Sequence, residues 1–331
     1  MSLQMDSQQA LVSVILPVYN RSIYLKQAIQ SALNQTYKNI EIIVSDDCSP
    51  ESPQKIVESF DDPRIRFRRN STNLGVAGNI ITTVKEAQGK YIASLNDDDV
   101  WNENFLEKLV PQLENNQNLV LAFCDHYIID DDSNIDETAT EECTQAWKRN
   151  QLKEGVYQPF YQIALIDQAV PSSVAAVIRK DAIDWDKFSP QAGPFWDLYL
   201  TYMACRNGGG AYYSPERLSQ YRVHALSETM NIGGKNTKAK IRGAKATIFC
   251  FRQFMEDEAL QEFKSYFRKQ CLHAQTTLAI GLLRNNNITE ARPLLLGALI
   301  QQKFNPRTIA AFLISFIPKP LARKLLIGHG V

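Results

Sequence analysis

The sequence predicts an α/β fold, a doubly wound, Rossmann-like mixed sheet flanked by helices, followed by a C-terminal helical appendage. Short β-branched apolar runs alternate with segments of helical period through the first third of the chain, which implies parallel strands joined by right-handed crossovers. Three of those runs end in polar or acidic residues, Pro17-Val18-Tyr19-Asn20, Asp46-Asp47 and Asp97-Asp98-Asp99. In open sheets of this kind ligands bind beyond the carboxyl ends of the strands. The charge also changes sign along the chain. Residues 1–234 hold 20 basic and 31 acidic residues, and residues 235–331 hold 16 and 5. A boundary near Gly233-Gly234 therefore separates an α/β domain at 10–232 from a basic helical region at 235–331.

The elements come in this order. Leu11 to Pro17 is a buried central strand that Pro17 ends. Ser22 to Leu33 carries Ile23, Ala28, Ile29, Ala32 and Leu33 at helical spacing. Ile40 to Val44 is the second strand, and Ser52 to Phe60 is a helix with Pro53 in its first turn. Arg64 to Arg68 alternates with period two, as a strand with one wet face does. A turn at Asn70 to Gly75 leads into a helix at Val76 to Ala87, ended by Gly89. The run Tyr91 to Leu95 is a strand, Phe105 to Leu113 a helix, and Leu119 to Cys124 a strand. Asp125 to Glu154 is acidic and irregular and reads as a solvated, mobile loop. Val174 to Ile178 is a strand, Trp196 to Ala204 a helix, and Leu218 to His224 a last strand. Ile241 to Met255, Leu260 to Arg284 and Ile288 to Gln302 are helices, the last two a hairpin joined by three asparagines. Thr308 to Ile317 is strongly apolar, and Pro318, Pro320, Arg323 and Lys324 come after it. It fits either a core-capping amphipathic helix or a foot resting on anionic lipid.

With 331 residues, 44% of them hydrophobic, the chain can bury a substantial core, and its formal net charge of zero points to no class of partner. The six cysteines include no Cys-x-x-Cys pair and the four histidines show no metal spacing, which speaks against a zinc or disulfide framework and for a reducing compartment. The start lacks a charged-then-apolar leader pattern, and no apolar run reaches the roughly 18–20 residues a bilayer span needs.

Asp97-Asp98-Asp99 organises the functional reading. Carboxylates held at the end of a buried strand suit a hard divalent cation and its phosphate ligand. An N-capped helix start explains the same residues equally well. The surrounding order of motifs separates the two. Val12-Ser13-Val14-Ile15-Leu16-Pro17-Val18-Tyr19-Asn20, Glu41 to Ser49, Asn73-Leu74-Gly75 with Gly78-Asn79, Gly89-Lys90-Tyr91-Ile92, Leu95 to Asp99 and Tyr221-Arg222-Val223-His224 together resemble family 2 glycosyltransferases over residues 11–225.

The resemblance implies a GT-A nucleotide-diphospho-sugar transferase fold and inverting transfer from a nucleotide-sugar, most commonly a UDP-sugar. It implies Pro17 and Tyr19 at the base pocket, Asp47 accepting from the base with Asp46 supporting the same loop, and Gly75 to Asn79 against the nucleotide. Asp97 falls at the ribose and diphosphate, Asp98 is the protein ligand of Mg²⁺ or Mn²⁺, and Arg222 and His224 are further donors to the diphosphate. For Arg222 a structural salt bridge fits as well. Asp99 caps the next helix or supports the site. The context implied is cell-surface polysaccharide or glycan synthesis on a glycan or lipid-linked acceptor, in the cytoplasm at the inner face of the plasma membrane. Peripheral membrane contact would run through the basic C-terminal helices, and no nucleic-acid partner is expected.

The chain departs from the family pattern twice. Asn96 stands where the metal motif begins with an acid, and Pro194-Phe195 stands where an acidic pair supplies the catalytic base. Asp197 is the nearest acid and the candidate base. A nucleotide-sugar-binding protein that has lost turnover is therefore one rival reading. A sugar nucleotidyltransferase is another, although the loop after the first strand, Pro17-Val18-Tyr19-Asn20-Arg21, lacks the glycines such an enzyme or a dinucleotide-binding dehydrogenase uses.

Overall fold

The structure is a computed structural model describing residues 9–317 except 226, 234, 235, 303 and 304. It divides into two compact units, one running to Pro190 and including Trp196–Val223, the other comprising Gln191–Phe195 and the chain from His224 onward. The boundary expected at Gly233-Gly234 falls inside the second unit.

Among the described residues of the first unit, nine strands form one sheet. They are β1 (Val12–Val18), β2 (Ile40–Asp46), β3 (Ile65–Arg69), β4 (Tyr91–Ser94), β5 (Val100–Trp101), β6 (Leu119–Ile129), β7 (Gly155–Tyr157), β8 (Ala176–Arg179) and β9 (Gly210–Arg222). The order is β3-β2-β1-β4-β8-β6-β9-β5, with β7 on β9. β1 to β4 are mutually parallel where they pair, and β8 runs antiparallel between β4 and β6. The carboxyl ends of β1, β2, β4 and β6 therefore share one edge. The helices of this unit are α1 (Leu25–Leu33), α2 (Gln54–Glu58), α3 (Gly75–Glu86), α4 (Phe105–Asn115), α5 (Glu137–Ala146) and α6 (Trp196–Cys205).

Strand alternation decides which face each helix covers. Val12, Val14, Leu16 and Val18 of β1 belong to one buried cluster with Leu25, Ala28 and Ile29 of α1 and Phe105, Leu109 and Leu113 of α4. Burying each such aliphatic side chain contributes about 1.5–3 kcal/mol. Trp101 stacks on Phe105 with ring centroids 4.5 Å apart, which fixes the chain directly after the acidic cluster.

Several elements differ from expectation for identifiable reasons. β1 runs through Pro17 to Val18, because β4 pairs with β1 only as far as Ile15 and β2 alone accompanies it beyond. Asp46 lies inside β2, opposite Val18 on one side and Arg69 on the other. The acidic stretch is not a mobile loop. β6 continues to Ile129, and Asp136 caps α5 by accepting the Ala139 N–H at 2.9 Å. Asp125 pairs with the buried Arg149 at 2.6 Å. β9 is 13 residues long, its polar centre bulging where β6 shifts register around Asp125.

The second unit is helical: α7 (Glu228–Gly233), α8 (Thr237–Glu256), α9 (Lys264–Arg284), α10 (Ile288–Gln301) and α11 (Pro306–Ile314). Phe254 of α8 meets Phe267 of α9 at 5.4 Å between centroids. A Cβ at Gly281 would lie 2.7 Å from Ile241, so glycine permits the close approach of these helices. The hairpin expected at Asn285-Asn286-Asn287 is present, with Asn286 left-handed at φ 61° and Asn287 capping α10. α11 begins with Asn305 as cap and Pro306 in its first turn, and Leu313 and Phe316 stay exposed. Pro318, Pro320, Arg323 and Lys324 lie outside the described residues. Among the described residues no helix is long and apolar enough to cross a membrane.

Candidate active site

β1, β2 and β4 are neighbours in the sheet, so Tyr19, Asp47 and Asp97-Asp98 emerge side by side at one edge. Each strand end is built differently.

After β1, Pro17 is buried and Tyr19 is 50% exposed, an aromatic face open to solvent. Asn20 is left-handed at φ 50° and donates its N–H to Ser49 Oγ at 2.8 Å, tying this loop to the one after β2. After β2, Asp46 is fully buried and accepts from Ser49 N at 3.0 Å and from Arg69. Both its oxygens accept from the protein.

Asp47 differs. Its Oδ1 accepts from Asn70 Nδ2 and from the Leu74 N–H, both at 2.8 Å. No hydrogen bond from the described residues reaches Oδ2, so one oxygen is anchored and the other is available to a ligand donor. Asn70 is oriented in turn by Asn79 Oδ1 at 2.9 Å and by Arg68 Nη2 at 2.9 Å. Asn79, expected against the nucleotide, is 1% exposed, and its amide also donates to the Ser45 carbonyl at 2.8 Å. It acts beneath the site by orienting Asn70. Gly75 opens α3 at φ 73° and is exposed, a left-handed turn that glycine adopts without cost.

The β4 end concentrates charge. Asp97, Asp98 and Asp99 are all buried. Asp99 accepts from Asn96 Nδ2 and from the Arg222 N–H, each at 2.8 Å, which makes it support and explains why an amide at position 96 is serviceable. It does not cap α4, whose N-cap is Asn104. Asp97 and Asp98 share Arg21, whose guanidinium contacts Asp97 and lies 2.9 Å from Asp98 Oδ2. Burial and the neighbouring Asp98 carboxylate outweigh the pull of Arg21 and push the Asp97 carboxyl up to about 7. Burial works against the Arg21 charge, yet the surrounding carboxylates hold that guanidinium above its ordinary value.

Of the two roles open to Arg222, the structure shows structural contacts, made as hydrogen bonds rather than as a salt bridge. Its side chain is fully buried, with Nε donating to the Asp98 carbonyl, Nη1 to the Asp130 carbonyl and Nη2 to Gln27 Oε1, each at 2.8 Å. The guanidinium also lies 4.3 Å from the Tyr24 ring centroid. It is a bracket joining β9, α1 and the loop after β6, with its charge spent on the protein. His224 is buried just past β9, and its carbonyl accepts the Ser227 N–H at 3.1 Å.

Asp197 sits in the first turn of α6, after a kink at Gly193 (φ 50°). Its Oδ1 accepts the Leu198 N–H at 2.9 Å, and its carbonyl accepts from Ser172 Oγ at 2.8 Å. Burial raises its carboxyl above the usual range. Among the described residues, no hydrogen bond or ion pair joins it to Asp97, Asp98 or Asp47. A cavity of about 990 Å³ lies between α1 and β5, lined by Lys26, Gln27, Gln30, Phe60 and Asn102 among others; of the residues described above it includes Gln27, the partner of Arg222, and none of the carboxylates.

Sequence reasoning passes over Arg21, Asn70 and Gln27. A signal for Arg21 is present, since consecutive buried carboxylates require a cation and Arg21 stands two residues beyond Tyr19.

Comparison with known proteins points one way. The profile of glycosyl transferase family 2 matches residues 13–183. An Escherichia coli UDP-Glc:alpha-D-GlcNAc-diphosphoundecaprenol beta-1,3-glucosyltransferase, WfgD, is 37% identical over 123 residues, 37% of this chain and 48% of that protein. An uncharacterized glycosyltransferase of Haemophilus influenzae is 29% identical over 260 residues, 72% and 74% of the two chains. The chain spans less than half the length of the first curated relatives it matches. Staphylococcus aureus TarS 1–349, solved with UDP-GlcNAc, superposes with a TM-score of 0.62 over 96% of this chain and 92% of its own, at 13% identity. A Pyrobaculum calidifontis mannosyltransferase, solved with GDP-Man and Mn²⁺, gives 0.57 over 97% and 85%, at 15% identity. At such identities these two speak for the fold alone.

Proposed function

The chain belongs to glycosyl transferase family 2 and has the GT-A fold, and from that premise we propose that it transfers a sugar from a nucleotide-sugar, foremost a UDP-sugar, to an acceptor hydroxyl with inversion. The observation that carries this reading is the shared edge of β1, β2 and β4, where an exposed aromatic ring, a half-anchored carboxylate and a buried pair of carboxylates stand in adjacent positions.

Each residue then has a task. Tyr19 packs on the nucleobase. Asp47 presents Oδ2 to a base N–H, its other oxygen held by Asn70 and Leu74 so that the acceptor is oriented beforehand. Asp97 accepts from the ribose or lies beside the diphosphate. The donor set suits a divalent cation. Two buried carboxylates already draw one cationic side chain between them, and such ions bind through one or two carboxylates plus phosphate oxygens. Asp98 would hold Mg²⁺ or Mn²⁺. When bound there, the ion supplies charge neutralisation for the departing diphosphate. Asp197 takes the proton of the acceptor hydroxyl, and burial, by raising its carboxyl, makes the carboxylate a stronger base.

The acceptor is a glycan or a lipid-linked sugar of a cell-surface polysaccharide. Leu313 and Phe316, exposed at the end of α11, would rest on an anionic membrane at the cytoplasmic face. Sedimentation with anionic vesicles should carry down the wild type and spare Leu313→Asp, and equal binding by the two sinks the membrane contact.

Nucleoside diphosphate release from UDP-, GDP- and dTDP-sugars, with and without Mn²⁺ and with a range of acceptors, tests the reaction. Release should depend on metal and fall about a thousandfold in Asp98→Ala. Asp197→Asn should lower turnover while leaving diphosphate binding intact. Tight diphosphate binding without turnover on any donor would favour the binding-protein reading, for which Pro194-Phe195 at the acidic-pair position speaks.

A further inference from the structure

We propose that Arg21 is a built-in counter-cation. It holds the divalent-metal position while the donor site is empty and yields it when a nucleoside diphosphate arrives. The metal then binds tightly only together with the diphosphate. This rests on the donor-site reading above.

The three carboxylates of the β4 end are compensated unequally. Asp99 is satisfied by the Asn96 amide and the Arg222 N–H. Arg222 spends its guanidinium on the main-chain carbonyls of Asp98, Asp130 and Asp131 and on the side chains of Ser133 and Gln27. Asp97 and Asp98 instead share one guanidinium, with Arg21 Nη2 reaching both and Nε adding a bond to Asp97 Oδ1 at 3.1 Å. A cationic side chain thus sits at the carboxylate oxygens that a divalent ion would use.

The two cations are exclusive there. A guanidinium is donor-only and carries no lone pair for a metal, and it keeps its charge at every physiological pH. It cannot make room by losing a proton, so it makes room by moving. Arg21 is placed to do so. It stands on the loop between β1 and α1, after the left-handed Asn20, and its side chain is 20% exposed against 5% for Asp97 and 9% for Asp98. A diphosphate offers it a better destination, because the planar fork matches phosphate oxygens in paired hydrogen bonds. It also supplies negative charge that lets the metal and the guanidinium coexist. Metal and diphosphate should therefore tighten each other's binding by one shared factor, and Arg21 should be the source of most of it.

Electron paramagnetic resonance of Mn²⁺ reads bound and free metal without turnover. It should be applied to the full-length wild type, Arg21→Gln and Arg21→Lys, alone and with UDP or, separately, GDP. Wild type should bind Mn²⁺ weakly alone and at least about tenfold tighter with nucleotide. Arg21→Gln should bind Mn²⁺ alone at least about tenfold tighter than wild type and lose most of the nucleotide-induced gain. Arg21→Lys, which keeps the charge but lacks the planar fork, should bind Mn²⁺ alone as weakly as wild type and keep only part of the nucleotide-induced gain. Arg21→Gln binding Mn²⁺ alone no tighter than wild type overturns the proposal. So does a wild type whose Mn²⁺ affinity is already high without nucleotide, a result that needs no folded variant. Failure of the donor-site reading looks different: neither nucleotide would bind to wild type or to Arg21→Gln, whatever Mn²⁺ does, and the proposal would fall with it.

Discussion

Two acidic strand ends share one edge of this sheet, and they manage their charge in opposite ways. At the end of β2, Asp46 is matched by Arg69 and the Ser49 N–H, and Asp47 has one oxygen fixed by an amide and a main-chain N–H. At the end of β4, Asp97 and Asp98 divide a single guanidinium, and burial leaves the Asp97 carboxyl at about 7. The first end leaves Asp47 Oδ2 for the base N–H that the proposed function gives it. The second end draws a cationic side chain onto two buried carboxylates, where the same proposal puts a metal ion. In the proposed function, the two strands that flank β1 thus divide recognition from electrostatic work.

The comparison can be broken at either end. The larger effect belongs to β4. With UDP at a hundredfold over its metal-free dissociation constant and Mn²⁺ at a hundredfold over its dissociation constant for the UDP-loaded protein, denaturant unfolding should show stabilisation of about 5.4 kcal/mol, falling to the nucleotide contribution of about 2.7 kcal/mol in Asp98→Ala. Equal stabilisation of the two proteins would mean that the β4 end takes no cation. The smaller effect belongs to β2. Arg69→Ala removes the charge partner of the fully buried Asp46, but the arginine side chain is 35% exposed and solvent screens the pair. The expected loss is about 1 kcal/mol of stability, with Mn²⁺ affinity unchanged. A change in metal binding there would show that the two ends are coupled.

The parts of this arrangement that the sequence discloses are those set by local pattern. Buried strands and the acids at their ends can be read from apolar runs and the polar residues that terminate them, which locates the segments carrying Tyr19, Asp47 and Asp98, while the roles given to these residues come from the family resemblance. The parts it conceals depend on distant partners. Arg21 joins Asp97 across 76 positions of the chain, and no local pattern joins them. Asn79 and Arg222 stand at motif positions that imply contact with the ligand, yet both are buried and hold other residues in place. Position alone does not distinguish a group that touches a ligand from one that orients its neighbour. The acidic stretch after β6 misleads for a related reason. Its composition suggests a solvated loop, but Asp125 finds Arg149 in the interior and Asp136 caps a helix. The base is the least legible feature. Pro194-Phe195 removes the expected acids, and Asp197 is placed by the start of α6, which comes after a glycine kink.

Calorimetric titration of UDP and GDP into wild type, Asp47→Ala and Asp98→Ala, each with and without Mn²⁺, tests most directly whether the two strand ends divide the work. Asp47→Ala should weaken nucleotide binding by about tenfold to a hundredfold under both conditions, as loss of a hydrogen bond to a charged acceptor does. Asp98→Ala should leave binding without metal nearly unchanged and erase the gain that Mn²⁺ brings. If Asp98→Ala weakened metal-free binding as much as Asp47→Ala does, or if the Mn²⁺ gain survived it, the division of labour between the β2 and β4 ends would be contradicted.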